Sequence, residues 1–138
     1  MINLYFDAEF TGLHKDTTLI SIGIVSASGE SFYAELNDFA DYHFESDIQF
    51  VSDVSHYDFV LLVDLLASSA LELPNCISAS CHDINQDIAR VLRISEKEAF
   101  DLSREQLLTK LGKSLPKGVK HNALYDAKII QAIYRQLQ

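Results

Sequence analysis

The sequence predicts an α/β or α+β sandwich around a mixed sheet, and three observations carry that expectation. Short runs rich in Ile, Val and Phe crowd the first 36 residues. Apolar residues at helical spacing dominate the second half, and turn residues separate the segments. Ile2 to Phe6 is an apolar run short enough for a buried strand. After a turn at Gly12 and a polar loop from His14 to Thr17, Thr18 to Ala27 reads as the second strand. Ser28-Gly29-Glu30 is a hairpin turn into a third strand, Ser31 to Leu36.

Asn37, Asp38 and Asp41 then mark a loop, and Asp47 to Val51 a short strand. From Asp58 onward Phe59, Leu62, Val63 and Leu66 keep helical spacing, with Leu61 and Leu65 widening the apolar face enough to predict a helix buried on most sides. Pro74 closes that region, and Cys76 to Ala79 is a further candidate strand. His82 to Leu92 follows a helical pattern through Ile84, Ile88, Val91 and Leu92. Ser95-x-x-Glu98 and Ser103-x-x-Gln106 are capping signatures for two further helices, the second ending at Gly112. A loop with Pro116 leads to a last helix from Ala123 to Leu137, with Ile129, Ile130, Ile133, Tyr134 and Leu137 facing inward.

At 138 residues the chain is expected to form one domain, residues 1–138, with a core of its own. A hydrophobic share of 48% with 22% charged residues is that of an ordinary globular protein. The longest apolar stretch, Phe59 to Leu66, is interrupted by Asp64 and is too short for a membrane span. No basic lead-in or cleavage pattern opens the sequence, so a cytoplasmic protein with Cys76 and Cys81 reduced is expected. Cys-x₄-Cys without further cysteines is weak grounds for zinc. The net charge of −9 argues against a generally basic nucleic-acid surface. Its distribution is uneven: residues 110–138 hold six basic side chains against one acid, a local balance of +5, and the remainder carries −14. That basic segment would steer phosphate to one place, or simply solvate a surface helix.

Two stretches carry chemistry. In Asp7-Ala8-Glu9-Phe10-Thr11-Gly12-Leu13, strand alternation turns Asp7 and Glu9 to one face. Adjacent carboxylates resist ionisation unless a cation lies between them, and hard oxygen ligands suit Mg²⁺ or Mn²⁺. The plain alternative is a pair of solvated acids before a turn. The second stretch is His121-Asn122-Ala123-Leu124-Tyr125-Asp126-Ala127. On one continuous helix, side chains five apart diverge by about 140°. His121 and Asp126 therefore meet only if His121 precedes the helix, with Asn122 as its N-cap. Alone, this would read as a surface His beside a helix Asp.

Together the two stretches resemble the DEDDh family of 3′-5′ exonucleases. Asp7-Ala8-Glu9 followed by Thr11-Gly12-Leu13 is similar to the family's first motif, and His-x₄-Asp at His121 and Asp126 is similar to its third. A middle Asp is required, and Tyr57-Asp58 opening an apolar helix resembles the second motif, although the usual Asn is replaced by Ser55-His56. Asp53 is the rival for that role and Asp64 a more distant one. The variation is reminiscent of small bacterial 3′-5′ exoribonuclease-like proteins.

The resemblance implies a ribonuclease H-like fold, a mixed five-stranded sheet flanked by helices. It implies two Mg²⁺ or Mn²⁺ held by Asp7, Glu9, Asp58 and Asp126, with His121 as general base. Phe10, Thr11, Gly12 and Leu13 would meet the terminal nucleotide. The expected partner is a single-stranded 3′ end, RNA in preference to DNA, cut to nucleoside 5′-monophosphates. The alternatives are a proofreading-type DNA exonuclease, a non-catalytic nucleotide-binding or nucleic-acid-binding module on the same fold, or a PIN-type acidic nuclease without a His requirement. A homodimer would extend the binding surface of so small a nuclease, and oligomeric state stays open. His56 is a candidate for the cleft wall, whereas His14, His43 and His82 read as surface residues.

Overall fold

The computed structural model describes residues 1–12, 17–35, 47–68 and 75–138. Leu13, His14, His43, Pro74 and the loop read at Asn37, Asp38 and Asp41 lie outside the described residues. Five strands, β1 (Ile2–Phe10), β2 (Leu19–Ser26), β3 (Ser31–Glu35), β4 (Ile48–Ser52) and β5 (His82–Asp83), form one sheet in the order β3-β2-β1-β4-β5. The β1–β2 and β2–β3 pairs are antiparallel, and the β1–β4 and β4–β5 pairs are parallel. The helices are α1 (Ser55–Ser68), α2 (Ile84–Leu92), α3 (Glu96–Asp101), α4 (Arg104–Lys110) and α5 (Ala123–Leu137). This is the mixed five-stranded sheet flanked by helices that was expected. No helix among the described residues is long and apolar enough to cross a membrane.

Strand alternation divides the core. Leu4 and Phe6 of β1 join Ile22, Phe50 and Leu62 on one face, with Ala8 and Phe10 packed against them. Tyr5 points the other way, into the layer built by Ile84, Ile88, Leu108, Ile129, Ile130 and Ile133. Asp7 and Glu9 follow Tyr5 by period-two alternation, so they belong to the side covered by α5.

Several boundaries differ from those expected. β1 runs on to Phe10, so the acidic pair lies within the central strand, and the pairing with β2 shifts register between Glu9 and Phe10. Cys76 to Ala79 contributes only a single bridge, Ile77 to Ile48. The fifth strand is instead His82–Asp83, where the helical pattern was expected to have begun. Asp83 explains the shift, because its carboxylate accepts from the Asn85 N–H and so caps α2 after the strand. α1 starts at Ser55, three residues before Asp58, with the Val54 carbonyl accepting from the Tyr57 and Asp58 amides. Over residues 55–64 of α1 the exposed positions are His56, Val60 and Asp64, four apart on one stripe, and the remaining sides are buried or half-buried. The helix starts at Ser95, Ser103 and Asn122 match the capping signatures, and α5 occupies the expected range.

One close approach sets the depth at which α5 lies on the sheet. Gly23 pairs with Asp7 across the β1–β2 ladder, and the first turn of α5 rests directly on it. A Cβ at position 23 would stand 2.2 Å from the Leu124 nitrogen and 2.3 Å from the Leu124 Cα, both backbone atoms that cannot swing aside. The other end of the helix is tied down by Gln131 and Arg135, whose side chains donate to the Ser26 and Ala27 carbonyls. Gly23→Ala is expected to lower stability by about 1–3 kcal/mol or more, the cost of over-packing a fitted contact. Urea unfolding checks this, with a lower midpoint at unchanged slope; a midpoint equal to wild type would show that α5 is free to lift.

Candidate active site

The parallel strands β1 and β4 end on the same side of the sheet, and ligands of open α/β sheets collect at such carboxyl ends. A cavity of about 440 Å³ opens there. Asp7 and Glu9 reach it from β1, Asp53 from the turn after β4, Asp58 from the first turn of α1, and Asp126 from the first turn of α5. His121 stands at the lip, exposed, just before the α5 N-cap.

His121 meets Asp126 through a backbone device. Its φ of 65° is left-handed, a conformation that costs free energy for a non-glycine residue and tends to mark functional positions. That turn aims its own N–H at Asp126 Oδ2, 2.9 Å away. Asn122 then caps α5 by accepting from the Tyr125 amide. The five-residue spacing is thus bridged in the way the helix arithmetic required, with the His outside the helix. Glu9, His121 and Asp126 each place a ligand-type atom within 4.8 Å of the others.

Asp7, Asp53 and Asp58 form a second group with the same mutual spacing. The choice between Asp58 and Asp53 therefore does not separate them by position, but their surroundings differ. Asp58 is 4% exposed and accepts from Ser52 Oγ at 2.8 Å. Asp53 is held by Arg104, whose Nε donates to it at 2.9 Å while the same guanidinium serves Asn85 Oδ1 and the Ala99 carbonyl. Asp64 lies exposed on α1, away from the cavity.

Among the expected nucleotide contacts, Phe10 and Gly12 line the cavity. Thr11 does not: its hydroxyl accepts the Thr18 N–H at 3.0 Å and closes the turn. His56 is outside the lining too, with a side chain 90% exposed and turned 3.8 Å from Asp83. His82 is not a free surface residue. It pairs with Asp87 at 2.6 Å and meets Tyr134 edge-on.

Sequence reasoning missed Phe100 and Arg104, and it named Tyr57 only within the second motif and Lys120 only within the basic segment; all four line the cavity. Tyr57 donates to the Gly12 carbonyl at 2.8 Å and packs edge-on against Phe10, joining α1 to the turn after β1. Arg104 did leave a signal. A cation in the first turn of a helix opposes the dipole, so its presence at the start of α4 implies a specific acidic partner.

The electrostatics follow from crowding. Burial first, then the neighbouring Asp58, Asp53, Asp126 and Glu9, push the Asp7 carboxyl well above its ordinary range. Asp58 is raised to about 7 by burial, against the opposing Ser52 hydrogen bond, with Asp53 and Glu9 adding to the rise. Asp126 is raised to about 6 by burial, with the His121 amide opposing and Glu9 contributing to the rise. Carboxyls in this condition tend to keep their protons until a cation offsets the charge. Their donor set is oxygen-rich and hard, and it fits Mg²⁺ or Mn²⁺.

The sign of the pH effect is fixed by these shifts. Unfolded Asp titrates near 3.9, so the folded metal-free protein holds protons that the unfolded chain would release. Stability from Asp58 and Asp126 is fully present below about pH 4 and is lost as pH rises through about 6 to 7. In chelator, the melting temperature should therefore fall between pH 5 and pH 8, and Asp58→Asn should flatten that fall. Mn²⁺ should raise the melting temperature more at pH 8 than at pH 5, because its binding must displace protons at the lower pH. A chelated protein equally stable at both values would mean that the carboxylates are not crowded.

No protein-family model matches the sequence, and no curated protein matches it. Solved structures do match. The nuclease domain of 3′hExo, a DEDDh family member bound to rAMP, aligns with a TM-score of 0.65 at 15% identity over 96% of this chain and 89% of that one. A 3′-exonuclease solved for its 3′-end-specific recognition of a histone mRNA stem-loop aligns at 0.68 and 16% identity, over 99% of this chain and 63% of that one. The chain therefore spans less than two thirds of the second structure. At these identities the likeness is one of fold, and the chain has the fold of these nuclease domains.

Proposed function

We propose that the chain is a metal-dependent 3′-5′ exonuclease of the DEDDh type, a single catalytic domain acting on single-stranded nucleic acid with RNA favoured. The observation that carries this reading is the convergence of Asp7, Glu9, Asp58, Asp126 and His121 on one cavity from segments as distant as β1, α1 and α5. A binding module has no need of an imidazole poised beside a carboxylate cluster, and a PIN-type nuclease has no use for it. The structural neighbours support the reading, since one is bound to rAMP and the other recognises a histone mRNA 3′ end.

Asp7, Glu9, Asp58 and Asp126 would hold the divalent ions, which when bound offset phosphoryl charge and make a water more acidic. The chain's own residues do the rest. His121, exposed at the lip and tied through its backbone N–H to Asp126, would take the proton of the attacking water. The water oxygen bonds to the terminal phosphorus and the P–O bond to the 3′ oxygen of the preceding nucleotide breaks. A nucleoside 5′-monophosphate is released. Asp126 fixes the loop that carries His121, and Ser52 fixes the rotamer of Asp58. Phe10 and Tyr57 offer aromatic faces to the terminal base, a contact that tolerates any sequence.

The test is incubation of 5′-labelled and 3′-labelled RNA and DNA oligomers with Mg²⁺, Mn²⁺ or chelator. Stepwise shortening from the 3′ end with release of 5′-monophosphates is expected, faster on RNA and abolished by chelator or Asp7→Ala. His121→Ala should cost about 10²-fold or more in rate at unchanged fold. Internal cutting, 5′ polarity or a near-wild-type His121→Ala would contradict the reading.

A further inference from the structure

We propose that the segment joining α4 to α5, residues 111–122, together with Lys110, is a track for the phosphodiester backbone of the strand upstream of the cleaved nucleotide. The inference rests on the exonuclease reading of the cavity and adds to it where the rest of the substrate lies. From residue 106 to residue 125 the sequence holds Lys110, Lys113, Lys117 and Lys120 and no Asp or Glu. All four lysines are exposed, and none has an ion-pair partner among the described residues. In a chain with a net charge of −9 this is a concentrated reversal of sign.

Its position gives the reversal meaning. Lys120 lines the cavity beside His121, whereas Lys110, Lys113 and Lys117 do not. At no more than about 3.6 Å per residue, Lys117 lies within about 11 Å of Lys120 along the backbone, and Lys113 within about 25 Å. Lys120 thus stands at the cavity and the other three outside its lining, where a mononucleotide has no phosphate and a longer strand does. Apolar surface accompanies them: Val119 is 75% exposed, Leu115 44%, and Phe100, on the cavity wall, 53%. Phe100 offers an aromatic face beside these cations, a pairing that suits a single strand with unstacked bases.

The segment is also held in shape. The Lys113 amide donates to the Leu108 carbonyl and the Asn122 amide to the Val119 carbonyl. Gly118, at φ 149°, lies flat on Tyr125, where a Cβ would come within 2.5 Å of the ring. The Tyr125 hydroxyl donates in turn to Glu105 at 2.7 Å. A loop fixed at both ends and in its middle presents its lysines at set places, which reduces the ordering cost of binding.

The test is fluorescence anisotropy with 5′-fluorescein oligo(A) and oligo(dA) of two and ten nucleotides, with Ca²⁺ replacing Mg²⁺, on the full chain. K113A/K117A is expected to weaken decamer binding about 10-fold at low salt and to make the salt slope shallower by about 1.4, since each single-strand phosphate contact contributes about 0.7. Dinucleotide affinity should stay within twofold, and K113R/K117R should restore decamer binding. Equal losses for RNA and DNA mark the backbone as the ligand; a loss confined to RNA would overturn the track in favour of sugar recognition. Unchanged decamer affinity and slope would also overturn it. Turnover with Mg²⁺ separates the two proposals. Lysine-dependent binding without mononucleotide release would sink the exonuclease reading and keep the track, whereas release indifferent to both lysines would sink the track alone.

Discussion

Removal of clustered carboxyls from water, with their mutual repulsion added to it, is the constraint around which the molecule is arranged. Asp7, Asp53 and Asp58 bring oxygens within 4.8 Å of one another, and burial together with that crowding raises Asp7 and Asp58 above the carboxylate range. A fold gains nothing in stability from such a cluster; polar groups taken from water must be compensated or they destabilise. The surrounding structure supplies partial compensation through Ser52 on Asp58, Arg104 on Asp53 and the His121 amide on Asp126. What is left over is a negative field suited to divalent cations. The arrangement is easiest to understand as a site whose strain is relieved when it is used.

Keeping those groups together requires α5 to lie unusually close to the sheet. Gly23 allows it, because any side chain there would strike the backbone of Ala123 and Leu124. The same strand register sets Gly23 opposite Asp7, so the position that admits the helix is also the position beside the acidic pair. Depth of packing and placement of Asp126 are one geometric fact.

Much of this could be read from residues alone, for identifiable reasons. Asp7 and Glu9 share a face because strand periodicity is two, and His121 had to precede α5 because helical periodicity cannot join residues five apart. Capping chemistry located Ser95, Ser103 and Asn122 because side-chain oxygens there satisfy free amides. What escaped depends on partners distant in sequence. Gly23 looks like any glycine within a strand until α5 is laid on it. Arg104 needs Asp53, 51 residues away, to explain it. The edge strand His82–Asp83 is two residues long and defined only by pairing with Val51 and Ser52, so no local periodicity could announce it.

The charge distribution resolves an apparent contradiction in the composition. An acidic chain repels nucleic acid in general, yet six of the 20 acids line one cavity, where cations would stand between them and phosphate, and Lys120 lies beside His121 on the same lining. The proposed chemistry requires the cluster to be a cation site. Diffraction from crystals soaked in Mn²⁺, recorded at the manganese edge, tests that most directly. An anomalous peak is expected within about 2.5 Å of carboxylate oxygens from Asp7 and from Asp58 or Asp126. An empty cavity at saturating Mn²⁺, with manganese only at scattered surface acids, would contradict it.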